Sequence, residues 1–344
     1  MPKPTRSIEP VFPVGKLPPE VLRGLLRRCR PQAPSGVVIG PRYGEDAAVI
    51  DIGSKYLVVK TDPVTFTEEH IGWYAVNVNA NDIATMGATP RWFLATLLLP
   101  EGRTTRQIAR HIFLDILRTC RSLGITLCGG HTEVTGGLPR PMVIGQMLGE
   151  VEKRRLIRKE SQRPGDVVLL THGVAIEGTA ILARAKAEEL EKLAGRALVR
   201  RAQRMLFRPG ISVLQAARVA VEAGTIHAMH DPTEGGLLAG LAEIAEAGSV
   251  GLRVWSDKIP ILPETVAFSR LLQFDPLALI ASGALLVVAA PGTAPKLLQA
   301  YARHRIPACV VGEMLPRREG CSIIVNGRSA PLRAPARDEI ARLL

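Results

Sequence analysis

Five short segments carry residue types that local secondary-structure preference does not explain. The first, IGPRYGEDAAVI (39–50), sets Gly40 and Gly44 about a turn and leads Glu45 and Asp46 into an apolar run. Glycine lets backbone amides approach a phosphate closely, and a neighbouring carboxylate can hold Mg²⁺, which takes oxygen ligands and bridges to phosphates. A hairpin turn with surface acids uses the same residues more plainly. In the second, Thr61-Asp62-Pro63 ends the strand-like KYLVVKTD (55–62), where a carboxylate can point into a cleft. An Asx turn ahead of the proline is the alternative use of Asp62.

The third segment, HIGWYAVNVNANDIATMGATP (70–90), puts Ile71, Ala75, Val78 and Asp82 on one face at helical spacing, with Gly87 and Pro90 as stops. Asn77, Asn79, Asn81 and Asp82 fall in the middle of this apolar helix. Such residues are poor helix formers and costly to bury unless hydrogen-bonded. A metal or ligand surface would account for them, and so would an internal polar network. The fourth, LCGGHTEVTGG (127–137), sets Gly129 and Gly130 before His131, Thr132 and Glu133, so that free amides adjoin a side chain able to bind phosphate or metal. Cys128 reads as a buried thiol at a strand end. In the fifth, HAMHDPTEGGLLAGLAEIA (227–245), Asp231 or Thr233 can cap a helix whose first turn holds Glu234, Gly235 and Gly236. An anion could then reach amides at the positive end of the helix dipole. GVAIEGTAILA (173–183) offers a similar entry, although a plain capped core helix would look the same. His227 and His230 read as strand and loop histidines rather than ligands. Neither a P-loop nor a strand–G-x-G-x-x-G–helix unit with a following acid occurs, so phosphate chemistry would need another scaffold.

These segments lie in a chain of 344 residues with 47% apolar and 22% charged residues, a globular balance that excludes disorder and collagen-like structure. Aromatics are only 4%, so the core must be built mostly from Ala, Val, Ile and Leu. Lysine and arginine number 44 against 32 acids, a net +12 that favours nucleotides, phosphorylated metabolites, acidic partners or nucleic acid. Dispersed basic residues without an aromatic platform argue against nucleic acid. The 5 cysteines contain no C-x-x-C pair, which argues against a disulfide framework or structural zinc and for a reducing cytoplasm. The opening residues have no signal-peptide core, and the longest apolar run, 277–290, falls short of the roughly 18 residues of a membrane span. A soluble cytoplasmic protein is the expectation.

The proline- and arginine-rich residues 1–36 read as an extension containing the amphipathic PEVLRGLLRRCR. Residues 37–155 form a first domain and 156–344 a second, divided at the charged connector VEKRRLIRKESQRPGD. A helix is predicted over 104–123, capped by Thr104 and stopped by Gly124. PMVIGQMLGEV (141–151), DVVLLTHG and ALLVVAA read as strands. ILARAKAEELEKL reads as a solvent-facing helix and LLAGLAEIAEAG as a helix of small residues. The mixture is α/β (α+β).

Taken in order, GEDAAVI, TDPVTF, AVNVNANDIATMGATP, GGHTEV, RPGDVVLLT, HDPTEGGLLAGLAEIA and DPLALIASGALLVVA resemble the landmarks of the AIR synthase-related (PurM-like) ATP-binding superfamily over about residues 37–315. AVNVNANDIATMGA, HDPTEGGL and DPLALIASGALL are similar to its hydrogenase-maturation (HypE) branch. Thiamine-monophosphate kinase shares GEDAAV, TD and NDIATMGA, and selenide, water dikinase shares the GGH form of the fourth segment. The resemblance implies a PurM-like two-domain architecture, with an N-terminal β-sheet and helix domain that pairs in a homodimer and an α/β C-terminal domain. It implies ATP and Mg²⁺ in clefts beside the paired sheets, with Asp46, Asp62 and Asp82 as the metal and phosphate carboxylates. Gly44, Asn81, Gly129, Gly130 and Thr132 would join the nucleotide set, and Asp231, Thr233, Gly235 and Gly236 would line it from the second domain. Asp62, Asp82 and His131 would carry the chemistry.

Two departures stand out. Gly130-His131-Thr132 replaces the Gly-Asp-Thr of the HypE and thiamine-phosphate kinase branches, exchanging a carboxylate for an imidazole. The chain closes on PARDEIARLL where HypE has Pro-Arg-Ile-Cys, and its last cysteine, Cys321, reads as part of a strand, so self-modification on a C-terminal thiol does not carry over from the resemblance. The implied function is ATP-dependent activation of an amide-type oxygen by phosphorylation, on a partner such as a hydrogenase-maturation protein or on a small molecule. A small-molecule kinase and a non-catalytic ATP-sensing dimer are the alternatives.

Overall fold

Alternating apolar and polar residues make strands of most of the first half. They are β1 (Val37–Ile39), β2 (Ala48–Asp51), β3 (Lys55–Val64), β4 (Thr89–Pro100), β5 (Thr126–Thr135) and β6 (Met142–Glu152). The computed structural model describes residues 11–12, 14–29 and 36–344, so much of the expected extension lies outside the described residues. The strands pair in the order β1-β2-β3-β6-β4-β5, antiparallel except for the parallel β4–β5 pair. Register sets Asp62 against Gly145, Gly145 against Ala95 and Ala95 against Gly130, a single row crossing four strands. The opposite face carries Leu94, Leu98, Met142 and Ile144, all partly exposed.

Three helices accompany this sheet: α1 (Pro19–Leu26), α2 (Ile71–Thr85) and α3 (Arg106–Ser122). All of α2 except Trp73 and Val78 is buried, because it lies between the sheet and the second half of the chain. Gly145 permits that approach, since a Cβ there would come 2.3 Å from Asn79 Nδ2. The α3 cap is Thr105 rather than Thr104: the Thr105 hydroxyl accepts from the Ile108 amide at 3.2 Å, and Thr104 is drawn off to the Pro100 carbonyl. Gly124 takes the left-handed position (φ +69°) that ends the helix.

The second half forms seven strands, the inner ones from continuous apolar runs: β7 (Val167–Thr171), β8 (Ala228–His230), β9 (Gly251–Trp255), β10 (Leu286–Ala289), β11 (Ala308–Leu315), β12 (Cys321–Val325) and β13 (Arg328–Pro331). Their order is β13-β12-β9-β11-β7-β10-β8, with β12 and β9 parallel and the other pairs antiparallel. One edge, β8, is fully buried, while the other, β13, is fully exposed. The helices are α4 (Ile176–Ala185), α5 (Ala187–Ala194), α6 (Arg196–Arg204), α7 (Leu214–Ala223), α8 (Gly236–Ala247), α9 (Pro263–Leu272), α10 (Ala294–Arg303) and α11 (Ile340–Leu343). ILARAKAEELEKL is therefore not one solvent-facing helix. It breaks at Lys186; residues 176–183 of α4 are buried, and in α5 only Leu190 is. Among the described residues no helix is long and apolar enough to cross a membrane.

Candidate functional site

Successive even positions of β3 share one face of the sheet, so Lys60 and Asp62 both turn toward α2, which contributes Asp82. Lys60 Nζ lies 3.4 Å from Asp62 Oδ2 and 3.1 Å from Asp82 Oδ2, so two carboxylates share one ammonium. The turn before β2 supplies Asp46, the connector supplies Lys159, and the end of β8 supplies His230 and Asp231. Lys159 Nζ stands 2.8 Å from Asp46 Oδ1 and also donates to the Gly44 carbonyl. His230 Nδ1 is 2.7 Å from the same Asp46 oxygen, and its Nε2 is 2.9 Å from Glu243 Oε2 on α8. One potential ligand atom from each of Asp46, His230 and Asp231 falls within 4.8 Å of the others.

Burial and mutual charge set the protonation of this group. Burial would raise the Asp46 carboxyl, but His230 and Lys159 hold it well below the usual range. Burial pushes Asp82 up to about 7 against the pull of Lys60, with Asp62 and Asp46 adding to the rise. Asp231 is driven well above its ordinary value by burial and then by the Asp82 and Asp46 charges. Burial opposes the Lys60 charge, yet Asp82, Asp62 and Asp46 lift its pKa well above that of a free lysine. Asp46 Oδ2 and both oxygens of Asp231 are buried without a hydrogen-bond partner among the described residues. Leaving carboxylate oxygens so is expensive, and a hard divalent cation is the chemistry that relieves it. The donor set therefore fits Mg²⁺.

Glycine geometry keeps the elements close enough for this. Gly44 has φ +81°, and a Cβ on it would come 2.6 Å from the Glu243 carbonyl, so only glycine lets the turn lie on α8. At the other side α8 begins at Gly236, preceded by the left-handed Gly235. No side chain caps it, contrary to the capping role expected of Asp231 or Thr233; the Thr233 carbonyl accepts from the Gly236 and Ala281 amides instead. Thr233 also lines a cleft of about 380 Å³ together with Asp62 and Lys16, whose amide donates to Glu234 Oε1 at 2.8 Å.

Not every expected residue joins the cluster. Gly129, Gly130, His131 and Thr132 lie on the exposed strand β5, three strand spacings or roughly 14 Å from β3. Gly130 continues the Asp62 row, but His131 stands in register with Thr96 and turns to the opposite face, where its ring meets Glu133 Oε2 at 3.2 Å. Cys128 is exposed there, not buried, because β5 is an edge strand. The asparagines of α2 act as internal fasteners: Asn77 and Asn79 donate to the carbonyls of Trp73 and Ala75. Asn81 Nδ2 donates to the Ile211 carbonyl at 2.8 Å, and its Oδ1 accepts from the Val213 amide at 2.9 Å, joining the two halves. Sequence reasoning missed Lys60, Lys159 and Glu243, and read His230 as a strand or loop histidine, whereas it bridges Asp46 and Glu243. Only Lys60 left a signal, standing two residues before Asp62 on a strand.

Two family models match the chain: the N-terminal domain of AIR synthase related protein over residues 44–151, and its C-terminal domain over residues 163–324. A protein of Methanocaldococcus jannaschii, provisionally named as a hydrogenase expression/formation protein, is 27% identical over 96% of this chain and 97% of its own. Carbamoyl dehydratase HypE of Cupriavidus necator is 30% identical, covering 80% of this chain and 78% of its own. A structure of hydrogenase maturation protein HypE in complex with ATP superposes with a TM-score of 0.71 at 22% identity, over 86% of this chain and 90% of that one. That likeness establishes the two-domain fold. A structure of a HypE–HypF complex gives a TM-score of 0.71 at 22% identity, over 87% of this chain and 97% of that one.

Proposed function

Because the chain belongs to the AIR synthase-related family, we propose that it binds ATP with Mg²⁺ where Asp46, Asp62, Asp82 and Asp231 converge, and uses it to phosphorylate an amide-type oxygen in the manner of HypE. The observation that carries this reading is the group of buried carboxylate oxygens without partners at Asp46 and Asp231, set beside the Lys60 ammonium. A bare acidic pocket would repel a triphosphate; one with buried cations among the acids suits a metal–nucleotide complex. Magnesium, when bound, would supply charge neutralisation on the phosphate oxygens.

The chain's own share is positioning and electrostatics, the usual protein contribution to phosphoryl transfer. Lys60 holds Asp62 and Asp82 in place and faces the phosphates. Lys159 and His230 keep Asp46 ionised and oriented. The Gly235 and Gly236 amides are already engaged, donating to Asp338 Oδ2 and to the Thr233 carbonyl, and so shape the start of α8 rather than offer free donors. The relatives named carbamoyl dehydratase point to a carbamoyl acceptor. Its dehydration balances as carboxamide plus ATP giving nitrile, ADP and phosphate, through an O-phosphorylated imidate. Asp62 and Asp82 flank the transferring group, while Gly129, Gly130, His131 and Thr132 stand apart from it on β5. A homodimer formed through the outer face of the first sheet accords with the partly exposed Leu94, Leu98, Met142 and Ile144. A hydrogenase-maturation protein is the proposed partner, as in the HypE–HypF complex, and the cytoplasm the proposed location.

Titration calorimetry with a non-hydrolysable ATP analogue and Mg²⁺ tests the reading, followed by phosphate release in the presence of a carbamoylated partner protein. Expected are micromolar binding and release that Asp82→Asn abolishes. No nucleotide binding by the wild-type chain, or binding indifferent to Mg²⁺, overturns it.

A further inference from the structure

Beside the acidic cluster, the cleft deepens into a recess with an unusual floor. Glu177, the second residue of α4, is only 5% exposed, and its Oε2 has no hydrogen-bond partner among the described residues. Ser282, 1% exposed, leaves its Oγ equally unpartnered. Both side chains line the same cleft of about 380 Å³ that Asp62 lines, and Tyr74 stands with them. Phe66 and Ile181 make apolar walls. Two buried polar groups left without partners at the bottom of a cleft mark a place where a ligand completes the hydrogen bonding.

The charges of the walls limit what that ligand can be. Among the described residues, Asp62, Glu177 and Glu234 face the space against the single ammonium of Lys16. Lys16 is already committed, its Nζ 3.7 Å from Glu243 Oε1. A phosphate monoester entering here would meet carboxylates with no free cation among the described residues to receive it. A neutral group with N–H donors meets an acceptor in Glu177 and a donor–acceptor in Ser282.

We propose that this recess is the acceptor subsite, that it takes a neutral carboxamide rather than a phosphorylated alcohol, and that Glu177 receives the amide proton as the amide oxygen is phosphorylated. The proposal rests on the ATP-dependent reading above. In the step, the amide oxygen bonds to the γ-phosphorus as the bond to the ADP oxygen breaks. One N–H bond breaks with it, its proton passes to Glu177, and an O-phosphoryl imidate remains. Burial lifts the Glu177 carboxyl to about 7, with Asp338 adding to the rise. Ser282, through its side chain and its backbone amide, opposes part of that rise. Tyr74, the other titratable group against it, is itself raised by burial and then by Glu177, and stays a neutral phenol. A carboxyl so placed exchanges a proton readily near neutral pH.

The test uses the full chain with Mg²⁺. Binding of a non-hydrolysable ATP analogue is measured by calorimetry, and phosphate release from ATP is followed with formamide, acetamide, S-carbamoylcysteine or thiamine monophosphate. At least one carboxamide should stimulate release, and thiamine monophosphate should not be phosphorylated. Glu177→Gln should bind the analogue within about twofold of wild type, which also reports that it folds, and lose roughly 100-fold of the stimulated rate. Ser282→Ala should raise the carboxamide concentration for half-maximal stimulation about tenfold. Stimulation within about threefold of wild type in Glu177→Gln, phosphorylation of thiamine monophosphate, or no carboxamide response while the nucleotide binds, each overturns the acceptor assignment alone. Absence of nucleotide binding by the wild type overturns it together with the ATP reading.

Discussion

Replacing Lys159 with methionine removes a buried positive charge while keeping most of the side-chain volume. In the folded protein the Lys159 and Asp46 side chains are 1% and 4% exposed, and Nζ is 2.8 Å from Asp46 Oδ1. The same Nζ is 3.2 Å from His230 Nδ1. Its loss leaves the Gly44 carbonyl without that donor and a buried carboxylate with His230 alone to balance it. Breaking a buried pair from one side costs roughly 3–5 kcal/mol. With a urea m-value of about 3 kcal/mol/M, the unfolding midpoint should fall by about 1–1.7 M. Adding Asp46→Asn removes the stranded charge, so the double variant should recover at least half of that loss. Urea unfolding followed by far-UV circular dichroism measures all three chains. A fall of less than about 0.3 M for Lys159→Met, or a double variant no more stable than the single one, would refute the assignment of Lys159 as the counter-charge of Asp46.

Asp82 is raised from 3.8 to about 7 by burial, so its favourable contribution to folding is present below the unfolded value and lost as pH rises through 7. In metal-free buffer Asp82→Asn should therefore gain on the wild type between pH 5 and pH 8, by up to about 1.4 kcal/mol for each pH unit crossed; an offset equal at every pH refutes this. Asn81→Ala strips partners from the Ile211 carbonyl and the Val213 amide, and should cost about 2–4 kcal/mol. Hydrogen exchange at Val213 should accelerate in that variant, and unchanged protection there would contradict the fastening role. His131→Ala should move the unfolding free energy by no more than about 0.5 kcal/mol, since the residue is exposed and its ion pair lies on the surface.

The mixed α/β class and the helices α2 and α3 were legible because their apolar spacing and glycine stops are local, whereas the two-domain architecture was legible only through the resemblance of the ordered motifs to a known family. The break within ILARAKAEELEKL was not, because the alanines of α4 are buried by neighbours distant in sequence and carry no periodic signal of their own. Asp46, Asp62 and Asp82 stood out beside glycines, a proline and asparagines that sit badly in regular structure. Their cationic partners did not: Lys159 and His230 are 113 and 184 residues from Asp46, and nothing local separates either from an ordinary charged connector or strand end. His131 misled because the motif gives spacing along the chain but not which face of β5 a residue occupies; one step of register turns it away from the row that holds Asp62 and Gly130.

The outer strand of the second sheet closes that sheet to further growth. Arg328 and Pro331 bracket β13, and all four of its residues face solvent. A proline offers no amide hydrogen to an incoming chain, and an arginine resists being desolvated beside one. The long, open strand β5 has neither guard within its span. Unwanted aggregation in concentrated solution should therefore begin at the first sheet, and lysine placed at an outward position of β5 is the substitution that would suppress it.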